Sequence, residues 1–131
     1  IVTLGSGIQH EITRLFNQDN YRDYLHLHGL AVELTEAAAD YVQARMQSTL
    51  HSPHHQLATD GRTDSEGMWK PVKRYSFGYP CCPDLKANRT IAELLQAEKM
   101  GISFTEDDQM VPEFTTAAFV CFNPQADYFS I

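Results

Sequence analysis

The chain lacks the features that mark several common protein classes. Only three of its 131 residues are cysteines, and two of them, Cys81 and Cys82, are adjacent. Three cysteines do not make a disulfide framework, and adjacent cysteines rarely bridge each other because the ring that closes is strained. The sequence therefore predicts reduced thiols, as in a cytoplasmic protein.

Basic residues and long apolar runs are also scarce. The 10 lysines and arginines stand against 17 aspartates and glutamates, which gives a formal net charge of -7. Because phosphate backbones are bound chiefly by Lys and Arg, nucleic acid is not an expected partner. No run approaches the roughly 18 apolar residues of a membrane span, and no segment has the pattern of a signal peptide. A soluble cytoplasmic protein without membrane contact is expected.

The length and composition fit one folded domain. Hydrophobic residues make up 43% of the chain and aromatic residues 11%, which is enough to build a core. The chain begins at Ile1 without a methionine and ends at Ile131 inside an apparent strand. We interpret residues 1–131 as a single, partial domain of a longer protein.

Hydrophobic periodicity predicts two helices in the first half of the chain. The first follows a glycine-rich turn, with Ser6 as its expected N-cap. The second is a long core helix whose apolar stripe runs from Leu27 to Met46. The acidic residues of this helix lie three and four positions apart, which places them along one flank: Glu33, Glu36 and Asp40. A solvated face is the simplest interpretation of that flank.

The second half predicts a short helix and strands. Thr90 and Glu93 form a capping-box pattern that would open a helix with Ile91, Leu94 and Leu95 facing the core. Residues 114–122 are rich in threonine, alanine and aromatic residues and predict a buried strand, with residues 127–131 as its antiparallel partner. The predicted class is α+β, a small, mostly antiparallel sheet flanked by helices that include one long core helix.

Metal binding receives little support from the sequence. Three histidines, His51, His54 and His55, lie within a short polar loop. Pro53 disrupts helical presentation there, and no cysteine or acidic cluster follows at zinc-ligand spacing. We therefore predict no metal site and keep a zinc-binding loop as a remote alternative.

Residues 74–84, R-Y-S-F-G-Y-P-C-C-P-D, concentrate the side chains that could hold a ligand. Gly78 can adopt backbone conformations closed to other residues, and the two prolines fix φ, so a rigid, irregular loop is expected. Arg74 offers a planar fork of donors suited to a carboxylate, and Tyr79 a flat face with a polar tip. From spacing alone, a ligand site and a tight loop whose arginine pairs with a local acid are equally favoured. A redox or nucleophilic role for the adjacent thiols is a minor alternative.

Five sequence blocks, in order, resemble the activation domain of cobalamin-dependent methionine synthase, which binds S-adenosylmethionine. The loop above resembles the family signature R-x-x-x-G-Y-P, and residues 24–37 resemble its helix entry Y-L-x-L-H-G-L-x-V-x-x-T-E-A. The remaining blocks are residues 90–95, 104–112 and 127–131. The resemblance extends over nearly the whole chain.

The resemblance implies a role in reductive methylation. In that reaction cob(II)alamin, held by a partner cobalamin-binding domain, takes an electron from a flavoprotein donor and a methyl group from S-adenosylmethionine. This chain would then be the reactivation part of a methyltransferase, without activity on its own. It would contribute proximity of the methyl group to the cobalt rather than a nucleophile or a general base.

The resemblance also implies roles for single residues. Arg74 matches the arginine that hydrogen-bonds the S-adenosylmethionine, and Tyr128 matches a tyrosine that lines the same site. Gly78, Tyr79 and Pro80 match the loop between that ligand and the cobalamin. Within this loop Tyr79 matches the tyrosine that faces the corrin. Glu36 matches an acidic residue on the long helix near the methyl-transfer centre.

Departures from the family pattern favour a second hypothesis. The family's aspartate that binds the ligand's amino group lies before the first residue of this chain. Two further acidic positions of the family are Val32 and Met68 here. The alternative function is a non-catalytic, truncated homologue that docks to a corrinoid protein. The joint presence of Arg74, Gly78, Tyr79 and Tyr128 favours ligand binding instead.

Overall fold

The computed structural model describes residues 1–50 and 73–122. Its helices are α1 (Ser6–Asn17), α2 (Tyr21–Leu50) and α3 (Ala87–Leu95), followed by a single 3₁₀ turn at Ala97–Met100. Its strands are short: β1 (Val2–Thr3), β2 (Lys73–Ser76), β3 (Ser103–Phe104), β4 (Met110–Val111), β5 (Thr115–Thr116) and β6 (Ala118–Cys121). No helix within these two ranges is both long and apolar enough to cross a bilayer.

The described strands form three antiparallel pairs. β1 pairs with β5, β2 with β6, and β3 with β4. Helices with small antiparallel sheets, and one helix of 30 residues, confirm the predicted α+β class. The strand predicted at residues 114–122 is instead two strands, β5 and β6, which pair with different partners. Its expected pairing with residues 127–131 lies outside the described residues.

The main core lies between α1, α2 and the segment before β5. Ile12, Ala31 and Phe114 are buried there, with exposed fractions of 4%, 0% and 3%. The small side chain of Ala31 lets the neighbouring elements approach α2 closely. One turn further along α2 the buried Thr35 hydroxyl donates to the Ala31 carbonyl at 2.8 Å, so its polar group is satisfied. This packing fixes the part of α2 that leads to the acidic flank.

A second, smaller cluster joins α3 to the β3–β4 hairpin. It contains Ala92, Ala97 and Ile102. Arg89 adds polar ties because its guanidinium binds the Asp108 carboxylate and donates to the Thr105 carbonyl at 2.7 Å. These contacts hold α3 beside the hairpin.

The predicted helix starts need correction. α1 begins at Ser6, and the position before it is Gly5, whose φ is 75° and whose N–H donates to the Thr3 hydroxyl at 3.0 Å. Ser6 is therefore not the N-cap. α3 begins at Ala87, so Thr90 lies inside the helix and the capping-box prediction is wrong.

The predicted inward face of α3 is wrong at Leu94 and Leu95, whereas Ile91 is partly buried. Leu94 and Leu95 are 78% and 60% exposed. The buried side chains of this helix are the smaller Asn88 and Ala92.

Candidate functional site

Strand β2 and helix α2 together position Arg74. In the β2–β6 ladder Arg74 lies opposite Val120, and its side chain, 21% exposed, reaches toward α2. Its Nη2 donates to Glu36 Oε2 at 2.8 Å and its Nη1 donates to Asp40 Oδ1 at 2.9 Å. Because Glu36 and Asp40 are one helical turn apart, the same flank of α2 supplies both acceptors.

The three charges make a small, asymmetric cluster. Glu36 and Asp40 are 55% and 74% exposed, so each ion pair is screened by water and contributes only about 0.2 to 1 kcal/mol to stability. The arginine is the most buried of the three side chains. The two acids therefore act mainly by orienting the guanidinium at the end of β2. One of the two interpretations of Arg74 was an ion pair with a local acid, and the structure contains that ion pair. Arg74 also lines a pocket.

The turn after β2 has the irregular backbone that its glycine and prolines predict. Gly78 has a φ of 88°, and its N–H donates to the Cys82 carbonyl at 2.8 Å. The Cys82 N–H donates to the Tyr79 carbonyl, also at 2.8 Å. These two bonds close the turn and leave the Tyr79 side chain 63% exposed at its tip.

A pocket of about 380 Å³ opens between α2 and this turn. It is lined by Glu36, Arg74, Ser76, Tyr79, Pro80, Cys81 and Thr116. Four of the six predicted site residues thus share one pocket: Glu36, Arg74, Tyr79 and Pro80. Gly78 shapes the turn without lining the pocket, and Tyr128 lies outside the described residues. The site roles of all six residues stay predictions.

Three residues of this site were missed from the sequence. Asp40 could have been found, because it follows Glu36 by four positions on a predicted helix. Ser76 and Thr116 carry no signal of their own. They reach the pocket only through the strand registers of β2 and β5, which the sequence does not reveal. They also border a neighbouring pocket of about 450 Å³ together with Tyr79.

Thiol and metal chemistry are not favoured in the described part of the chain. The cysteines are free, and partial burial together with the adjacent Cys81 raises the pKa of Cys82 above its ordinary value. A raised pKa works against the thiolate that a nucleophile needs. Within residues 1–50 and 73–122 no three side chains are placed to hold a metal ion. The histidines of residues 51–55 lie outside that part.

Gly78→Ala should destabilise the chain. The left-handed backbone at Gly78 costs an L residue about 1 to 2 kcal/mol. An added Cβ would also lie 2.9 Å from Leu85 Cδ2, which must then move. We expect a lower urea midpoint of unfolding. Gly29→Ala is the matched control, because Gly29 lies in α2 with open space around it and should gain up to about 1 kcal/mol. A stabilising effect at both positions would contradict the strained turn.

Comparisons with known proteins agree with this fold and this sequence pattern. The family model described as "Vitamin B12 dependent methionine synthase, activation domain" matches residues 1–131. A methionine synthase of Mycobacterium leprae is 38% identical over 135 residues, and one of Mycobacterium tuberculosis is 37% identical. Each alignment covers 100% of this chain but only 11% of the relative's length.

A solved structure supports the same fold. The chain superposes on the MetH reactivation domain bound to AdoHcy with a TM-score of 0.75 and 23% sequence identity. The match covers 98% of this chain and 39% of that one. The chain belongs to the activation domain family of vitamin B12-dependent methionine synthase.

Proposed function

We propose that this chain binds S-adenosylmethionine and supports the reductive methylation of cob(II)alamin within cobalamin-dependent methionine synthase. The observation that supports the proposal most is the pocket in which Arg74, Glu36, Tyr79 and Pro80 meet. The related reactivation domain was solved with AdoHcy, which is S-adenosylmethionine without its transferred methyl group. A pocket lined by a fixed cation and a carboxylate fits such a ligand, because the ligand has an amino-acid tail and a sulfonium.

The two ends of the ligand need different partners. Its carboxylate is a good acceptor for the guanidinium of Arg74, which lines the pocket and is held there by Glu36 and Asp40. Its sulfonium is a cation and is favoured beside Glu36, whose carboxylate lines the same pocket. The ligand therefore lies across the pocket, with the methyl group toward the turn that contains Tyr79.

Tyr79 and Pro80 would form the face presented to the cobalamin. Cobalamin, held by a partner domain, supplies the cobalt that accepts the methyl group. The exposed ring of Tyr79 offers a flat surface for the corrin and shields the transfer from water. The protein itself needs no nucleophile or base here, which agrees with the raised pKa of Cys82.

The domain would act together with other proteins and domains in the cytoplasm. The partners are the cobalamin-binding domain of the same enzyme and a flavoprotein electron donor, in the cytoplasm. Residues 1–131 act as one partial domain that supplies the reactivation part of the methyltransferase and is not active alone. The length of the relatives, about nine times that of the aligned segment, leaves room for the other parts of the enzyme.

Calorimetric titration of the 131-residue chain with S-adenosylmethionine tests the proposal. We expect saturable binding at one site per chain, with a second titration showing that S-adenosylhomocysteine competes for it. Near-ultraviolet circular dichroism of the same sample verifies that the chain is folded. The absence of binding heat in a folded sample would contradict the proposal.

That outcome would favour the docking module as the second function. Val32, where the resemblance has an acidic residue, is apolar and 44% exposed on α2. An exposed apolar side chain suits a protein contact better than a cation-binding site. Sedimentation of the chain with a cobalamin-binding domain, with and without S-adenosylmethionine, separates docking from ligand binding.

A further inference from the structure

Two acids of α2, Glu36 and Asp40, bind the guanidinium of Arg74. Glu36 accepts from Nη2 and Asp40 from Nη1, so two negative charges lie within 3 Å of one guanidinium. The sum of the three formal charges is -1. With Glu36 alone the sum would be zero. Asp40, one helical turn from the pocket-lining Glu36, therefore supplies the second negative charge of this cluster.

We propose that Asp40 is a specificity-determining residue that makes the site prefer the sulfonium ligand over its demethylated product. The inference rests on the proposed function. S-adenosylmethionine has a carboxylate, an ammonium and a sulfonium, which give a net charge of +1, whereas S-adenosylhomocysteine has lost the sulfonium charge and is neutral overall. A cluster with a formal charge of -1 beside the pocket attracts the first ligand more strongly than the second.

The preference has a consequence for turnover. After the methyl group has left, the ligand no longer has the charge that the cluster attracts. The thioether product therefore dissociates more readily than the substrate, and a fresh sulfonium ligand replaces it. The carboxylate contact to Arg74 is common to both ligands and supplies affinity without discrimination.

The position of Asp40 sets the size of the effect. Its side chain is 74% exposed and does not line the pocket, so it acts on the ligand through water and through Arg74. Charge pairs at such exposed positions change equilibria by about 1.4- to fivefold. They also weaken with salt, because the screening length is about 10 Å at 0.1 M ionic strength.

Asp40→Asn tests the inference in the 131-residue chain. The dissociation constants of both ligands are measured by calorimetry at low and at high salt, and their ratio is the readout. We expect the preference for S-adenosylmethionine to fall about threefold at low salt and the difference from wild type to shrink at high salt. Asp40→Glu keeps the charge and should keep the ratio. Glu93→Gln, on the exposed face of α3, removes the same charge away from the pocket and should leave the ratio unchanged.

The alternative outcomes are distinct. If Asp40→Asn binds both ligands with the wild-type ratio, the inference is wrong while the proposed function stands. The same holds if both affinities change by one common factor, because Asp40 then only positions Arg74. If the folded wild-type chain binds neither ligand, the proposed function fails and this inference fails with it.

Discussion

Arg74→Ala is expected to abolish measurable binding of S-adenosylmethionine while the chain stays folded. A charge-assisted hydrogen bond contributes about 1.5 to 3 kcal/mol. Two such bonds from the guanidinium to the ligand's carboxylate correspond to a loss of at least about a hundredfold in affinity. The substitution also leaves Glu36 and Asp40 without the cation between them, and their charges then repel that carboxylate. Calorimetric titration of the variant measures the loss.

Two control variants distinguish loss of the ligand contact from loss of the fold. Arg74→Lys keeps the charge but replaces the planar fork by a single ammonium, so we expect weak binding rather than none. Arg89→Ala removes another arginine that binds a carboxylate, at the contact of α3 with the β3–β4 hairpin. It should lower stability and leave ligand affinity unchanged. The loss of two hydrogen bonds should change the affinity far more than about threefold. An Arg74→Ala variant whose dissociation constant stays within that factor of the wild-type value would therefore contradict the role of Arg74.

The turn that borders the site was predictable from the sequence because its chemistry is local. A glycine followed closely by two prolines restricts the backbone whatever the rest of the fold does. The positive φ of Gly78 and the exposed Tyr79 follow from those residues. Glu36, by contrast, was singled out by family resemblance, since a carboxylate on a helix flank is more often merely solvated.

The walls of the pocket depend on strand pairing between segments that are distant in sequence, and this pairing could not be predicted. Hydrophobic periodicity predicts no strand at residues 73–76, and their partner, β6, follows more than 40 residues later. Register between such segments is set by the packed fold, and a slip of one residue would turn each side chain to the opposite face. The presence of Ser76 and Thr116 in the pocket is therefore a result of tertiary structure.

Helix α3 shows where the apolar pattern misleads. Its leucines at positions 94 and 95 satisfy a helical period, so the pattern places them in the core. The structure buries Asn88 and Ala92 instead, and Ala92 packs in the cluster that also contains Ala97 and Ile102. A period identifies an apolar face without saying what covers it.

Phe114→Ala should cause the largest loss of stability. Phe114 is 3% exposed and packs against Ile12 and Ala31, and its ring centroid lies 5.3 Å from that of His28. Removing a buried phenylalanine side chain costs about 3 to 5 kcal/mol, because the lost burial is joined by the cost of a cavity. Domains of this size are stable by about 5 to 15 kcal/mol, so a large part of the total is lost. Urea unfolding followed by circular dichroism measures the change.

Phe119→Ala is the matched control for this prediction. Phe119 is 44% exposed in β6 and stacks on Tyr75 at a centroid distance of 5.4 Å, so its removal leaves no closed cavity. We expect a loss of about 1 kcal/mol, as for an aromatic pair at a half-exposed position. Equal losses in the two variants would show that the core does not centre on Phe114.

The Phe114 substitution should also affect the pocket. The Phe114 carbonyl accepts from the Leu4 N–H at 3.0 Å just before β5, so weaker packing at Phe114 also loosens β5, the strand that brings Thr116 to the pocket. Phe114→Ala should therefore weaken ligand binding under conditions where Phe119→Ala does not.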